Sequence, residues 1–197
     1  MKDGRILFLG PEDSPLRQWL EETGEEVVAT SRKIDVSYIE ANRICFLISY
    51  GYRHIIQKDV LEALDGRAIN LHISFLPWNR GADPNLWSIL EDTPKGVTIH
   101  YLDEGIDTGD IIVQDRVDFD YENDTLATSY DKLHKAMQRL FKDNWPAIRY
   151  GRCPRIKQAG SGSFHLVKDK IKVEHLLVNG WDTPLRMICN KLKEKNE

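Results

Sequence analysis

Asn70, His72 and Ser74 stand two residues apart in the run Ile69-Asn70-Leu71-His72-Ile73-Ser74-Phe75-Leu76-Pro77. In an extended segment that spacing puts the three polar side chains on one face and Leu71, Ile73 and Phe75 on the other. Polar groups on a strand otherwise made for burial need hydrogen-bond partners or a purpose. An amide next to an imidazole could aim N–H donors at a developing negative charge. On spacing alone, a hydrogen-bonded structural set is the stronger reading. The second cluster, Asp103-Glu104-Gly105-Ile106-Asp107-Thr108-Gly109-Asp110, places four carboxylates and two glycines in one loop. It lacks the alternating oxygen ligands, closing glutamate and flanking helices of an EF-hand calcium loop.

These residues need a scaffold, and the hydrophobic pattern supplies one. Apolar or β-branched runs at Ile6–Leu9, Glu26–Thr30, Ile44–Tyr50 and Ala68–Ile73 read as strands. Ser14-Pro15 opens a helix after the first, and Lys58–Leu64 reads as another helix. Strands separated by helices imply parallel pairing with right-handed crossovers. Gly96–Leu102 and Asp110–Val117 follow without an intervening helix, so the sheet is expected to turn antiparallel there. Leu126, Tyr130, Leu133, Met137, Leu140 and Phe141 line one face of a long helix from Thr125 to about Trp145. The remainder begins with the turn-rich stretch 158–163 and ends in a helix announced by Thr183-Pro184. The expectation is an α/β fold with a mostly parallel mixed sheet, residues 1–150 forming the main domain and 151–197 an extension packed on it.

A formal net charge of −4 argues against a nucleic-acid partner, because phosphate binding needs a basic face. Lys191–Lys195 is the most basic stretch, and it reads as a solvated helix end. The start of the chain lacks the apolar run of a secretory leader, and no stretch is apolar enough to span a bilayer, so a cytoplasmic protein with no membrane partner is expected. Three widely spaced cysteines without a C-x-x-C pair, and histidines without H-E-x-x-H spacing, point to no metal and no disulfide framework. Gly10-Pro11-Glu12-Asp13-Ser14 is not the dinucleotide fingerprint, and its two acids oppose an anion at that turn.

Taken together, Asn70, His72 and Ser74-Phe75-Leu76-Pro77, then Gly96-Val97-Thr98-Ile99-His100, then Asp107-Thr108-Gly109-Asp110-Ile111-Ile112-Val113-Gln114 resemble the folate-dependent formyltransferase family. The resemblance runs from about Ile6 to Gln114. It implies a Rossmann-like fold, N10-formyltetrahydrofolate as co-substrate, and a catalytic triad of Asn70, His72 and Asp107. Formyl transfer to an amine passes through a tetrahedral intermediate with charge on the former formyl oxygen. Asn70 and His72 would donate to that oxygen, while Asp107 would sit beside the imidazole and orient the group that relays the proton.

The family's pterin slot maps onto Ile48, Tyr52, Arg53, His54 and Ile55, with Leu102, Asp103, Glu104 and Asp107 as the facing wall. The stretch 76–85 most resembles the sugar N-formyltransferases that act on nucleotide-linked amino-deoxysugars. Trp78, Asn79 and Arg80 are then the substrate-binding candidates. Arg80 suits a pyrophosphate, because its planar fork matches such oxygens, and Trp78 or Phe164 could stack on the base. The expected acceptor is dTDP-4-amino-4,6-dideoxyglucose. Glycinamide ribonucleotide as acceptor, or a formyltetrahydrofolate hydrolase, is the alternative. A homodimer is an expectation of the family, although many sugar formyltransferases are longer and the additional chain helps to form their dimer.

Overall fold

The short apolar runs form the strands they predict. The computed structural model describes residues 4–194 and orders the elements as β1 (Arg5–Leu9), α1 (Pro15–Glu22), β2 (Val27–Thr30), α2 (Val36–Ala41), β3 (Ile44–Ser49), α3 (Lys58–Ala63), β4 (Ala68–His72), β5 (Arg80–Gly81), α4 (Pro84–Leu90), β6 (Gly96–Tyr101), β7 (Ile111–Arg116), α5 (Leu126–Arg149), β8 (Phe164–His165) and α6 (Leu185–Glu194). Three short 3-10 turns, Val167–Lys172, Glu174–Leu176 and Gly180–Asp182, fill the stretch between β8 and α6. Six strands form one sheet in the order β2-β1-β3-β4-β6-β7, and β5 and β8 pair separately. β1 runs parallel to β2 and to β3, and β3 runs parallel to β4 with Ile48 opposite Ile69 and Ser49 opposite Asn70. The bonds Tyr101 N–H to Asp110 O (2.9 Å) and Val117 N–H to Lys95 O (3.1 Å) close β6 and β7 as the expected antiparallel hairpin.

The chain folds as two compact units. The first contains the described residues up to His72, with Ile99–Ile112 and Asn144–Lys157. Leu7, Leu9, Ile39, Leu47, Val60 and Ala68 form its core, and at Trp145 and Arg149 α5 is clamped by Glu25. The second contains Ile73–Thr98, Val113–Asp143 and the described residues from Gln158 onward. Leu86, Ile89, Leu126, Leu185 and Ile188 form its core, so α6 packs with α4 and the start of α5.

Three features differ from the sequence reading, each for a local reason. α5 continues through Pro146 to Arg149. A proline removes one helical hydrogen bond, but Trp145 and Ile148 are buried and Arg149 donates to both oxygens of Glu25 at 3.0 and 3.1 Å, which holds the last turn. Ser14 stands at the N-cap of α1 but makes no capping bond, so Pro15 alone marks the start. The six-residue α2 is too short to show periodicity, and its start is fixed by Asp35 accepting from Tyr38 N–H at 2.8 Å. Lys195, the last residue of the basic stretch, lies outside the described residues.

Candidate active site

Asn70 and His72 occupy the carboxyl end of β4, which is where parallel α/β sheets form sites. Ser74 falls beyond the strand. The loop after β6 brings Asp107 to this end. Asn70 Nδ2 donates to Asp107 Oδ1 at 2.9 Å, and His72 Nδ1 lies 3.6 Å from Asp107 Oδ2. The side chains of His72 and Asp107 are 8% and 10% exposed, so water screens their interaction little.

A fourth residue joins them. His100 Nδ1 is 2.8 Å from the carbonyl oxygen of Tyr101, which can only accept, so Nδ1 carries a proton. In neutral His100, Nε2 is then an acceptor, and it lies 3.3 Å from Asn70 Nδ2 and 3.4 Å from Asp107 Oδ1. The Asn70 amide nitrogen is thereby turned toward two acceptors, which fixes which end of the amide faces the carboxylate. Thr98 and His100 alternate on β6 with the same two-residue spacing as Asn70 and His72; that was the signal available in the sequence.

The loop holding Asp107 is tightly specified. The Asp103 carboxylate accepts from Gly105 N–H at 3.1 Å and from the Thr108 hydroxyl at 2.7 Å. A Cβ at Gly109 would come within 1.8 Å of the Tyr101 carbonyl oxygen, so only glycine closes the loop onto β6. Asp107 itself has φ of +55°, a left-handed conformation that aspartate tolerates better than most residues but that still carries strain.

Of the residues assigned to the pterin slot, Ile48 is fully buried in β3. Tyr52 is half-buried against the core and its hydroxyl donates to Arg32 O at 2.8 Å. Burial pushes its phenol pKa up, with a backbone hydrogen bond opposing. Its ring stands edge-on to His54, 5.3 Å between centroids. Arg53 and His54 are exposed, and Ile55 is 67% exposed. Leu102 packs on the core while Asp103 and Glu104 face solvent, Glu104 pairing with Lys58 at 2.7 Å. Leu102, Asp103 and Glu104 line an open cavity of about 430 Å³ together with Lys58, Leu61, Glu62 and Asp65. A cavity of similar size, about 440 Å³, lies by Arg5 and Arg43 at the amino ends of β1 and β3, away from the Asn70–Asp107 cluster.

The second unit holds the other motif residues. The Ser74 hydroxyl donates to Trp78 O, the Thr98 hydroxyl to Ser74 O at 2.7 Å, and Gln114 Nε2 to Leu76 O at 2.9 Å and to the Thr98 oxygen at 2.8 Å. These motif positions hold a loop. Asn79 is fully buried at φ +57°, its Oδ1 accepting from the Thr93 hydroxyl at 2.7 Å and its N–H donating to Ser163 Oγ at 2.9 Å. Trp78 and Arg80 are half-buried, and Phe164 is 44% exposed. Among the described residues no cluster of three or more His, Cys, Asp or Glu could hold a metal ion, the three cysteines form no disulfide, and no helix is long and apolar enough to cross a membrane.

The site is thus an α/β sheet end with a buried Asn–His–Asp cluster beside a glycine-closed acidic loop. Residues 20–144 match the formyl transferase family model. The formyltransferase PseJ from Anoxybacillus kamchatkensis, solved in complex with UDP-4,6-dideoxy-4-formamido-L-AltNAc and tetrahydrofolate, is 54% identical over 94% of this chain and 97% of its own, with a TM-score of 0.89. A 4-N formyltransferase from Francisella tularensis is 22% identical over 95% of this chain and 86% of its own at a TM-score of 0.75, a likeness of fold alone. Methionyl-tRNA formyltransferase from Pelotomaculum thermopropionicum is 34% identical over 78% of this chain but only 47% of that protein, so the chain spans about half the length of the curated relatives it matches. The chain belongs to the formyl transferase family, and within it stands close to the nucleotide-sugar formyltransferases.

Proposed function

We propose that the chain transfers the formyl group of N10-formyltetrahydrofolate to the amine of a nucleotide-linked 4-amino-4,6-dideoxysugar. The observation that carries this reading is the buried Asn70–His72–Asp107 cluster on a chain 54% identical, nearly end to end, to an enzyme solved with a 4-formamido sugar nucleotide and tetrahydrofolate. The neutral amine attacks the formyl carbon, and the carbonyl electrons move to oxygen. His72 donates to that oxygen. The Asn70 N–H whose bond to His100 is the longer one, at 3.3 Å, turns to join it. Asp107 orients the relay that carries the ammonium proton to N10; the C–N10 bond then breaks, leaving a formamide and tetrahydrofolate. Tyr52, Arg53, His54 and Ile55 form one wall of the pterin slot, supported by Ile48, and Leu102, Asp103 and Glu104 the other. Arg80 meets the pyrophosphate, and Trp78 or Phe164 stacks on the base. Residues 1–150 serve as the catalytic domain and 151–197 as its extension. The working state is cytoplasmic and homodimeric, without a nucleic-acid partner.

The sequence expectation names dTDP-4-amino-4,6-dideoxyglucose. The UDP sugar carried by the PseJ complex favours a UDP-linked acceptor instead, with the amine at the same ring position. The test follows tetrahydrofolate release against UDP- and dTDP-linked 4-amino-4,6-dideoxysugars, the free amino sugar, glycinamide ribonucleotide and water alone. Release is expected with the UDP-linked amine and barely with the free sugar, because remote contacts hold the amine in attack position. Equal release without any amine would indicate a hydrolase, and preference for glycinamide ribonucleotide would remove the sugar assignment.

A further inference from the structure

The group that holds Arg80 is uncharged. Its guanidinium places Nε 3.1 Å and Nη2 2.9 Å from one oxygen, Oε1 of Gln158. Among the described residues no carboxylate lies within 4.0 Å of that guanidinium. Two acids nearby in sequence face other side chains: Asp83 lies 3.8 Å from Lys170, and Glu91 lies 3.0 Å from His165. A carboxylate at residue 158 could accept the same two N–H groups more strongly, but it would cancel the charge. A carboxamide fixes the plane of the guanidinium and leaves its positive charge intact for an anion.

The backbone makes this contact a built one. Arg80 N–H donates to Ser163 O at 3.0 Å, Ser163 N–H to Pro77 O at 3.3 Å and Ala82 N–H to His165 O at 2.9 Å. Arg80 is in register with Phe164 and Gly81 with His165 in a parallel pair. A Cβ at Gly162 would lie 2.1 Å from Pro77 O, and one at Gly81 2.3 Å from His165 O, so side chains are excluded where the two stretches cross. Residues 162–165 are thus laced to residues 77–82 whatever residue 158 is.

We propose that Gln158 is a positioning residue for recognition of the acceptor's diphosphate: it orients Arg80 without neutralising it. This rests on the reading that Arg80 meets the pyrophosphate. The experiment compares Arg80→Ala, Gln158→Ala and Gln158→Glu with the parent protein, measuring Kd for UDP, dTDP and tetrahydrofolate by calorimetry at several salt concentrations, with melting temperatures alongside. Gln158→Glu is expected to weaken UDP binding at least about tenfold, the worth of one charge-assisted bond. It should weaken binding more than Gln158→Ala does, and flatten its salt dependence, with the tetrahydrofolate Kd and melting temperature unchanged. A purely structural glutamine predicts the reverse order, because glutamate keeps both hydrogen bonds and alanine loses them. If Arg80→Ala weakens UDP binding while Gln158→Glu is no worse than Gln158→Ala, this inference is overturned and the reading of Arg80 stands. If Arg80→Ala leaves UDP binding unchanged, both fall.

Discussion

Asp107 serves two neighbours with two oxygens: Oδ1 takes the Asn70 N–H at 2.9 Å, and Oδ2 faces His72 at 3.6 Å. Replacing it by asparagine keeps the shape and removes the charge. Asp107→Asn and His72→Ala are each expected to lower kcat by roughly a hundred- to a thousand-fold, the usual cost of one oxyanion donor, while substrate affinities barely change. Steady-state kinetics with both substrates checks this, and near-parental turnover in either variant contradicts it. His100 acts on the cluster through Asn70. His100→Leu should therefore lower kcat by about tenfold, and His100→Gln, which keeps an acceptor, should recover part of it. Spacing and a glycine-bounded acidic loop singled out Asn70, His72 and Asp107 in the sequence, but only the family resemblance joined them, and the fold brings the three together. His100 stood in the sequence as the last residue of the Gly96–His100 motif, but nothing local gave it a role until the fold brought it to a residue 30 positions away.

Two elements position this chemistry or the packing that supports it, and each turns on one residue. At the loop after β6, Gly109→Ala should force the chain off the Tyr101 carbonyl and displace Asp107. Activity is then expected to fall at least about a hundredfold, and the tetrahydrofolate Kd to rise with it, because Asp103 and Glu104 of the same loop are assigned to the pterin slot. At the start of α5, burial disfavours a charged Asp124, but the Lys132 ammonium at 2.6 Å, the Asp120 N–H at 2.7 Å and the Thr128 hydroxyl at 3.0 Å outweigh it and hold the carboxyl below its ordinary 3.8. The stabilisation is fully present above that ordinary value and is lost as pH falls through the lowered native one. Asp124→Asn should cost about 1–3 kcal/mol at neutral pH. It should also flatten the acid-side decline in stability below pH about 4, as read by thermal melts across pH. The apolar strands and α5 could be read from the sequence, whereas α2, α4 and the β5–β8 pair could not. α2 and α4 follow no apolar run bounded by turn residues, and β5 finds its partner only after more than 80 residues of chain.

For the molecule as a whole, strand–helix alternation predicted the sheet, but its grouping into two units depends on contacts between distant segments that no local pattern records. The chain spans about half of the methionyl-tRNA formyltransferases it matches, and its formal charge is −4. With no excess of cations to release counterions, it should show no binding of initiator tRNA at roughly physiological salt. A salt-dependent Kd at micromolar or tighter in a filter-binding assay would move the acceptor toward aminoacyl-tRNA.

The most direct test of the central claim follows the transferred carbon itself. With ¹³C-formyl-labelled N10-formyltetrahydrofolate and a UDP-linked 4-amino-4,6-dideoxysugar, the label should move to the sugar nitrogen as a formamide, one for each tetrahydrofolate released, and the Asp107→Asn protein should leave it on the folate. Label appearing as free formate, or moving equally well in the Asp107→Asn protein, would contradict the account.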